Sequence, residues 1–346
     1  MARIVGLVAA SIMVAVEPAS GQQVTNTLTA GTDYSFSEKD YLTNVSSGNT
    51  SVIRQTGFGQ DVRMSGANSS LEVRAVDGSG LSSGSSVAAI FQQTDGVAGG
   101  DDTNGGRSGA VTTTLNKVDL KTTVDIGSSA PGGVFGLYAR SFGPSGGPST
   151  RDEHNGGAGA FSEAVTITAT NGNSASVSSN AGVGGAGVWA EQQGGFGGTG
   201  KAESHGGAGG GTRAMSLDLA GMTISTSGAK MAGISAIQTG GAGGNGENDD
   251  DIFGAGESDG GAGGSTGGMT IKLPEAASAG ATSIRTTGDD AAGVFASATG
   301  GAGGKGGLQG SYLSVTSHSG DGGGGGSAGS GSDPAISIHG GGTARI

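Results

Sequence analysis

The side chains of this chain that could do chemistry are few, and most of them are carboxylates gathered into one stretch. Gly246–Asp259 reads Gly-Glu-Asn-Asp-Asp-Asp-Ile-Phe-Gly-Ala-Gly-Glu-Ser-Asp. Asp249, Asp250, Asp251, Glu257 and Asp259 are hard oxygen ligands of the type Ca²⁺ selects. A calcium roll, however, needs its nonapeptide in tandem, so that each ion is shared between adjacent turns. Here the acidic run occurs once, out of phase with its surroundings. It reads first as a solvated loop, with a weak calcium site as the alternative. Asp101-Asp102 is a smaller version of the same feature.

Other chemistries find less support. The four histidines, His154, His205, His318 and His339, lie in or beside glycine-rich stretches. None has a second ligand at metal-binding spacing, and a metal needs three or four that converge. No Gly-x-Ser-x-Gly elbow marks a serine nucleophile. Gly-x-Gly-x-x-Gly matches, as in Gly301–Gly307, are expected by chance in so glycine-rich a chain, and no βαβ unit surrounds them. Lys117, Lys121, Lys272 and Arg285, the candidates for a base, are scattered along the chain. No catalytic residue and no cofactor are therefore assigned. Tyr138, Trp189 and Phe295 hold related places in a recurring phrase. They pack at a core or corner, or they form an exposed aromatic ladder for sugars, because adjacent strand residues point to opposite faces.

What must position these groups is a repetitive scaffold. Gly105, Gly156, Gly206 and Gly260 open similar glycine blocks 51, 50 and 54 residues apart. Such self-similarity marks an architecture in which each unit buries its apolar residues by stacking on the next. Glycine supplies 78 of 346 residues with no strict Gly-X-Y period and only six prolines, which excludes collagen. Between blocks lie three short runs rich in Thr, Ser, Val and Ile. In one unit they are Met269–Leu273, Thr282–Thr287 and Ala292–Thr299. Alternation of apolar and polar residues predicts strands. Three strands with sharp turns predict one coil of an all-β parallel β-helix, or β-solenoid, with glycine-rich loops inserted at one corner.

Across units the second and third strands keep a nearly constant step: Val124 to Val134, Val177 to Val188, Ile224 to Ile234 and Ile284 to Val294. This predicts inward ladders, with Val177, Ile224 and Ile284 stacked on one face. The third strand repeats as Gly136–Ala139, Gly187–Ala190, Gly233–Ala236 and Gly293–Ala296. Its glycine suits positive φ or close backbone approach. The glycine tracts, with few side chains to bury, are expected to be weakly ordered, in polyproline-like segments lying on each other.

The N-terminus sets the compartment. Arg3 followed by apolar Ile4–Val16, too short to span a bilayer, and by Ala19-Ser20-Gly21 reads as a signal peptide over 1–21, with cleavage before Gln22. Residues 22–86 form a cap or the first coils, and 87–346 form the repeat. No cysteine is present, so an exported chain has no disulfide framework. A formal net charge of −12 argues against nucleic acid as a partner.

With the repeat laid out, the chain resembles the passenger region of glycine-rich Gram-negative autotransporters. The signal peptide and the absence of cysteine carry the resemblance. So does the phrase G-V-x-A…T-G-G-x-G-G at Gly293–Gly304 and, with Ile for Val, at Gly233–Gly244. It implies a parallel β-helix displayed at the cell surface or secreted, with an outer-membrane translocator barrel as partner. This chain lacks amphipathic barrel strands and ends within the repeat phrase, so a fragment is expected. A second resemblance, to mycobacterial glycine-rich surface proteins, lacks their helical N-terminal domain. The expected function is a non-enzymatic stalk or adhesin that meets a host or environmental glycan or protein surface. The alternatives are a β-helix polysaccharide-degrading enzyme and a calcium-binding surface protein.

Overall fold

A computed structural model describes residues 23–24, 28–30, 33–38, 40–44, 50–76, 85–126, 132–151, 154–170, 172–182, 184–201, 204–247, 258–274, 281–307, 321–328 and 336–340. The signal-peptide segment and most of the acidic run lie outside these residues. Among them every regular element is a strand and every pairing is parallel, so the chain is all-β. No described helix is long and apolar enough to cross a membrane.

In earlier units the first two strands are fused into one, as Val62–Val76 and Val111–Asp125, while later units contribute three strands each. In one unit these are Val165–Thr170, Asn173–Ser179 and Gly185–Gln193; in the next they are Met215–Leu219, Met222–Ser227 and Met231–Thr239. The first two belong to a twelve-stranded sheet and the third to a seven-stranded sheet, and each strand pairs with its counterparts one unit before and after. The alternation that predicts strands is the alternation observed. Met222–Ser227 is buried at Met222, Ile224 and Thr226 and exposed at Thr223, Ser225 and Ser227. Both sheets feed one core, in which Leu120 and Ile224 meet Leu137 and Ile234. Thr50–Phe58 and Val62–Val76 join the same two sheets in register with later units, so the residues before 87 include full strand layers.

The recurring Gly-x-x-Ala phrase of the third strand keeps its expected register. Leu137, Val188, Ile234 and Val294 form one column, and Ala139, Ala190, Ala236 and Ala296 another. The glycine of that phrase is there for close approach. A Cβ on Gly187 would sit 2.4 Å from Ile224 Cγ2, and one on Gly233 would sit 2.3 Å from Ile284 Cγ2. The large second-strand residue fills the space that a third-strand side chain would take.

The second-strand register corrects the expectation. Ile224 lies between Ala175 and Ile284, while Val177 pairs with Thr226. Val177 and Ile224 thus share the inward face but not a column. Val134 likewise pairs with Gly185, three residues before Val188. Equal spacing misleads here because the connection between the second and third strands changes length from unit to unit, while the ladders fix only the strands.

The glycine tracts hold an order that their composition conceals. From the third strand each tract runs out, and then returns to the next first strand. Gly194, Gly197 and Gly200 donate to Thr239, Ala242 and Asn245 of the following outward tract, at 2.8–2.9 Å. Gly195 and Gly198 donate to Ala160 and Gly157 of the preceding return tract, and Gly207 and Gly210 donate to Gly198 and Gly195. The pattern repeats every third residue, the period of polyproline II, whose backbone has no internal hydrogen bonds and must pair outward. The tracts therefore lie on each other as expected, but the expectation of weak order fails. Two of every three amides are paired, so ordering comes from the backbone rather than from side chains.

This arrangement writes a Gly-Gly-x rule. At the first two positions another backbone passes too close for a side chain: a Cβ on Gly198 would be 1.9 Å from Gly147 O, and one on Gly244 1.9 Å from Gly198 O. The third position faces out, as at Phe196, Thr199, His205, Ala208 and Ala262. Several third-position side chains accept the amide one unit further on. Asn104 Oδ1 accepts from Ala158, Asn155 Oδ1 from His205 and Asn245 Oδ1 from Lys305, each at 2.8–2.9 Å. Buried glutamines tie the tracts to the sheet: Gln192 and Gln238 donate to the Glu163 and Arg213 carbonyls at 2.6 and 2.8 Å.

Two measurements check this account. Gly198→Ala should lower stability by about 1–3 kcal/mol in a thermal melt, because the tract must shift to admit a methyl group. Ala262→Ser, at an outward third position, should stay within about 0.5 kcal/mol. Ile224→Asp places an unpaired carboxylate in the core at a fully buried site. It should cost at least about 3 kcal/mol and abolish cooperative melting of the neighbouring units, followed by circular dichroism.

Candidate functional site

The outer face of the seven-stranded sheet carries a second, separate cluster of large side chains. Parallel register sets Arg54, Phe91, Tyr138, Trp189, Ser235 and Phe295 side by side on successive strands. Their inward neighbours, Ile90, Leu137, Val188 and Ile234, belong to the core. The period of two along a strand therefore sends the aromatics outward. Of the two readings, packing holds for Tyr138, which is buried with Phe91 and Phe135 in a cluster separate from the main core, with Trp189 packed against it, whereas Phe295 is exposed.

The rings are ordered against each other. Phe91 stacks on Tyr138 with centroids 5.1 Å apart and planes 15° apart, and Tyr138 lies 6.2 Å from Trp189 at 22°. Phe135 meets Trp189 edge-on at 5.3 Å. Ala88 and Ala186, the register partners of Phe135, leave room for its ring. Ser235 interrupts the column, and beyond it Phe295 stands 48% exposed. Trp189 is half-buried, so one part of its ring remains open to a ligand.

Polar groups frame the rings. Tyr138 Oη donates to Glu191 Oε2 at 3.0 Å, and Trp189 Nε1 reaches the same oxygen at 3.3 Å. Arg140 donates to Tyr138 Oη at 3.3 Å and to Gln93 Oε1 at 2.7 Å. Arg54 lies 4.7 Å over the Phe91 ring, and Arg140 lies 4.5 Å over Phe142 and 5.9 Å from Phe91. Burial pushes the Tyr138 phenol well above its ordinary value, with the Glu191 carboxylate adding to the shift. Burial, and then the neighbouring Arg140 charge, lowers the Arg54 guanidinium. The faces of Phe91 and Tyr138 are taken by each other, by Arg54 and by Trp189, so the half-buried Trp189 ring, edged by Glu191, is the member of the stack with surface left for a saccharide ring.

The other candidates are not brought into a site. Asp249, Asp250, Asp251 and Glu257 lie outside the described residues. Asp259 belongs to the tract ladder: its Oδ1 accepts the Asp321 amide at 2.8 Å, its own amide donates to His205 Nδ1 at 3.1 Å, and its Oδ2 lies 3.5 Å from that nitrogen. Asp102 accepts from Ser149 Oγ at 2.8 Å, which lowers its carboxyl, and faces Arg151 at 3.6 Å. His154 and His339 are exposed, and His318 is outside the described residues. Lys121 pairs with Glu72 at 3.1 Å and Lys272 with Asp218 at 3.9 Å, on different units. Among the described residues no three His, Asp or Glu side chains are placed to hold a metal ion.

Sequence reasoning missed Phe91, Phe135, Arg54, Arg140 and Glu191. The signal was present for Phe91. Ala89-Ile90-Phe91 spells the third-strand phrase with Ala in place of Gly, two units before Trp189. No protein-family model, curated protein or solved structure matches the chain.

The Tyr138 environment yields a pH dependence. An ordinary tyrosine ionises near pH ~10, so an unfolded chain would lose this proton there while the folded chain keeps it. Folding stability from Tyr138 is therefore complete below about pH 10 and falls as pH rises beyond it. Melting temperature should hold steady to about pH 9 and drop steeply above about 10, and Tyr138→Phe should flatten that drop.

Proposed function

We propose that this chain is an exported, non-enzymatic β-solenoid that acts as a stalk or adhesin and meets glycan or protein surfaces through its aromatic column. The observation that carries the reading is the accessible end of that column: Trp189 is half-buried and Phe295 is 48% exposed, in register on the face opposite the core residues Val188 and Ile234, while Phe91 and Tyr138 are buried behind them.

The solenoid reading rests on parallel pairing of each strand with its counterparts in both neighbouring units, in two sheets and in the tracts. Stacking adds about 4.8 Å per unit, so length is gained by repetition. A row of weak contacts along that length gains strength by multivalency. Display at the cell surface through an outer-membrane translocator barrel is part of the same proposal. It is supported by the signal-like N-terminus and the lack of cysteine.

The rival readings have their own tests. A polysaccharide-degrading enzyme would turn over polygalacturonate, and a calcium-binding protein would gain melting temperature with added Ca²⁺. For the adhesin, beads coated with residues 22–346 should bind a panel of immobilised glycans or epithelial and environmental surfaces. Trp189→Ala should cut retention several-fold while circular dichroism shows the variant still folded, with a melting temperature lowered by the loss of its contacts with Phe135 and Tyr138. Retention equal to the parent protein would remove the column from the function.

A further inference from the structure

Two guanidinium groups on the candidate surface have no carboxylate of their own. Among the described residues Arg54 makes no salt bridge and no hydrogen bond, and its contact is the Phe91 face at 4.7 Å. Arg140 also lacks a salt bridge. Its terminal nitrogens go to the neutral groups of Tyr138 and Gln93, and its buried Nε has no partner. Both cations lie within 6 Å of the centre of one ring, Phe91.

Like charges brought this close repel each other, and burial aggravates the cost. The nearest acids are already engaged: Glu191 accepts from Tyr138 and Trp189, and Asp95 accepts from Gln93. The chain carries a net charge of −12, so carboxylates to neutralise this pair are abundant elsewhere. Glu191, the register partner of Arg140, meets it only through the shared Tyr138 hydroxyl, and no acid pairs with Arg54, which leaves a place there for a charge from outside.

We propose that Arg54 and Arg140 form the anion-binding end of the aromatic column, and that its ligand is a saccharide bearing an anionic group. This rests on the glycan reading of the column given above and names the ligand class. Guanidinium forks grip a planar carboxylate or a sulfate through paired N–H donors. Arg54 and Trp189 are three strands apart, about 14 Å at the spacing of a parallel sheet. A short oligosaccharide spans that distance, with its acidic group between the two arginines and a following ring on Trp189. Glu191 takes up a hydroxyl there and disfavours a second negative charge at that end. The site thus reads a chain with direction, acid first.

The test uses the single tryptophan as reporter. Residues 22–346 are titrated by fluorescence and calorimetry with a galacturonate trisaccharide, a sulfated oligosaccharide of matching length and a neutral glucose trisaccharide. An acidic ligand should bind and change Trp189 emission, weakening as salt is raised. Arg54→Gln and Arg140→Gln should each weaken it about tenfold or more, as loss of a charged hydrogen bond does. Arg54→Lys, which keeps the charge and loses the fork, should fall between. Neutral saccharide binding should not respond to Arg54→Gln, and circular dichroism should show each variant folded. The two acidic arms separate carboxylate from sulfate. If neutral and acidic saccharides bind alike and Arg54→Gln changes neither, the anion site is wrong while the aromatic column stands. If no saccharide moves Trp189 emission or releases heat, both fail. Should Arg140→Gln unfold the chain, Arg54→Gln alone decides the matter.

Discussion

Everything in this chain depends on one constraint: backbone amides must find carbonyls one unit away, in parallel, at a fixed separation. The constraint acts twice. In the sheets it lines up Leu137 with Val188 and Ile234. In the tracts it pairs Gly194 with Thr239 and Gly197 with Ala242. A chain with so few large apolar residues cannot rest on a wide core. It closes its polar backbone instead, and uses side chains where sheets meet or where a surface is needed. Glycine, commonly a weak point in strands, becomes the residue that allows close approach at Gly187, Gly198 and Gly233.

The same constraint explains the surface. Once ladders hold consecutive strands in register, any residue type repeated at one position becomes a row. Phe91, Tyr138 and Trp189 need no dedicated pocket, since the sheet itself sets their spacing. Rigidity of that spacing would make the face selective for the proposed ligand, which must match the row because the row cannot adjust to it. The two arginines at one end add a charge pattern, and Glu191 adds the opposite sign further along.

How much of this the sequence revealed can be traced residue by residue. The strands were legible because Thr and Ser alternate with Val, Ile and Leu, as in Met222–Ser227. The third-strand column was legible because Gly-x-x-Ala recurs unchanged in four units. The second-strand column was not, since Ala175 stands where Ile224 and Ile284 stand and Val177 offers a false match. Hydropathy alone cannot choose between two inward positions two residues apart. The tract architecture was written plainly as Gly-Gly-x, yet composition suggested disorder, because pairing between distant backbones leaves no apolar signature. The aromatic column was half visible, and its arginines were hidden, because only register across three units brings Arg54 near Arg140.

The Gly-Gly-x rule gives each tract something like a reading frame. Sites with no room for a methyl group alternate with one that accepts Phe, Asn, His or Asp. Losing or gaining a single residue in a tract would push every following side chain into a passing carbonyl. A change of three would keep the phase, provided the facing arm changed with it. The paired arms show where freedom lies: Gly195 faces Gly210, Gly241 faces Gly264 and Gly301 faces Gly326, although the partners are 15, 23 and 25 residues apart in sequence. Variation is thus channelled to the tips and to the outward third position. The interior spelling stays locked, and the molecule can alter what it displays without altering how it is built.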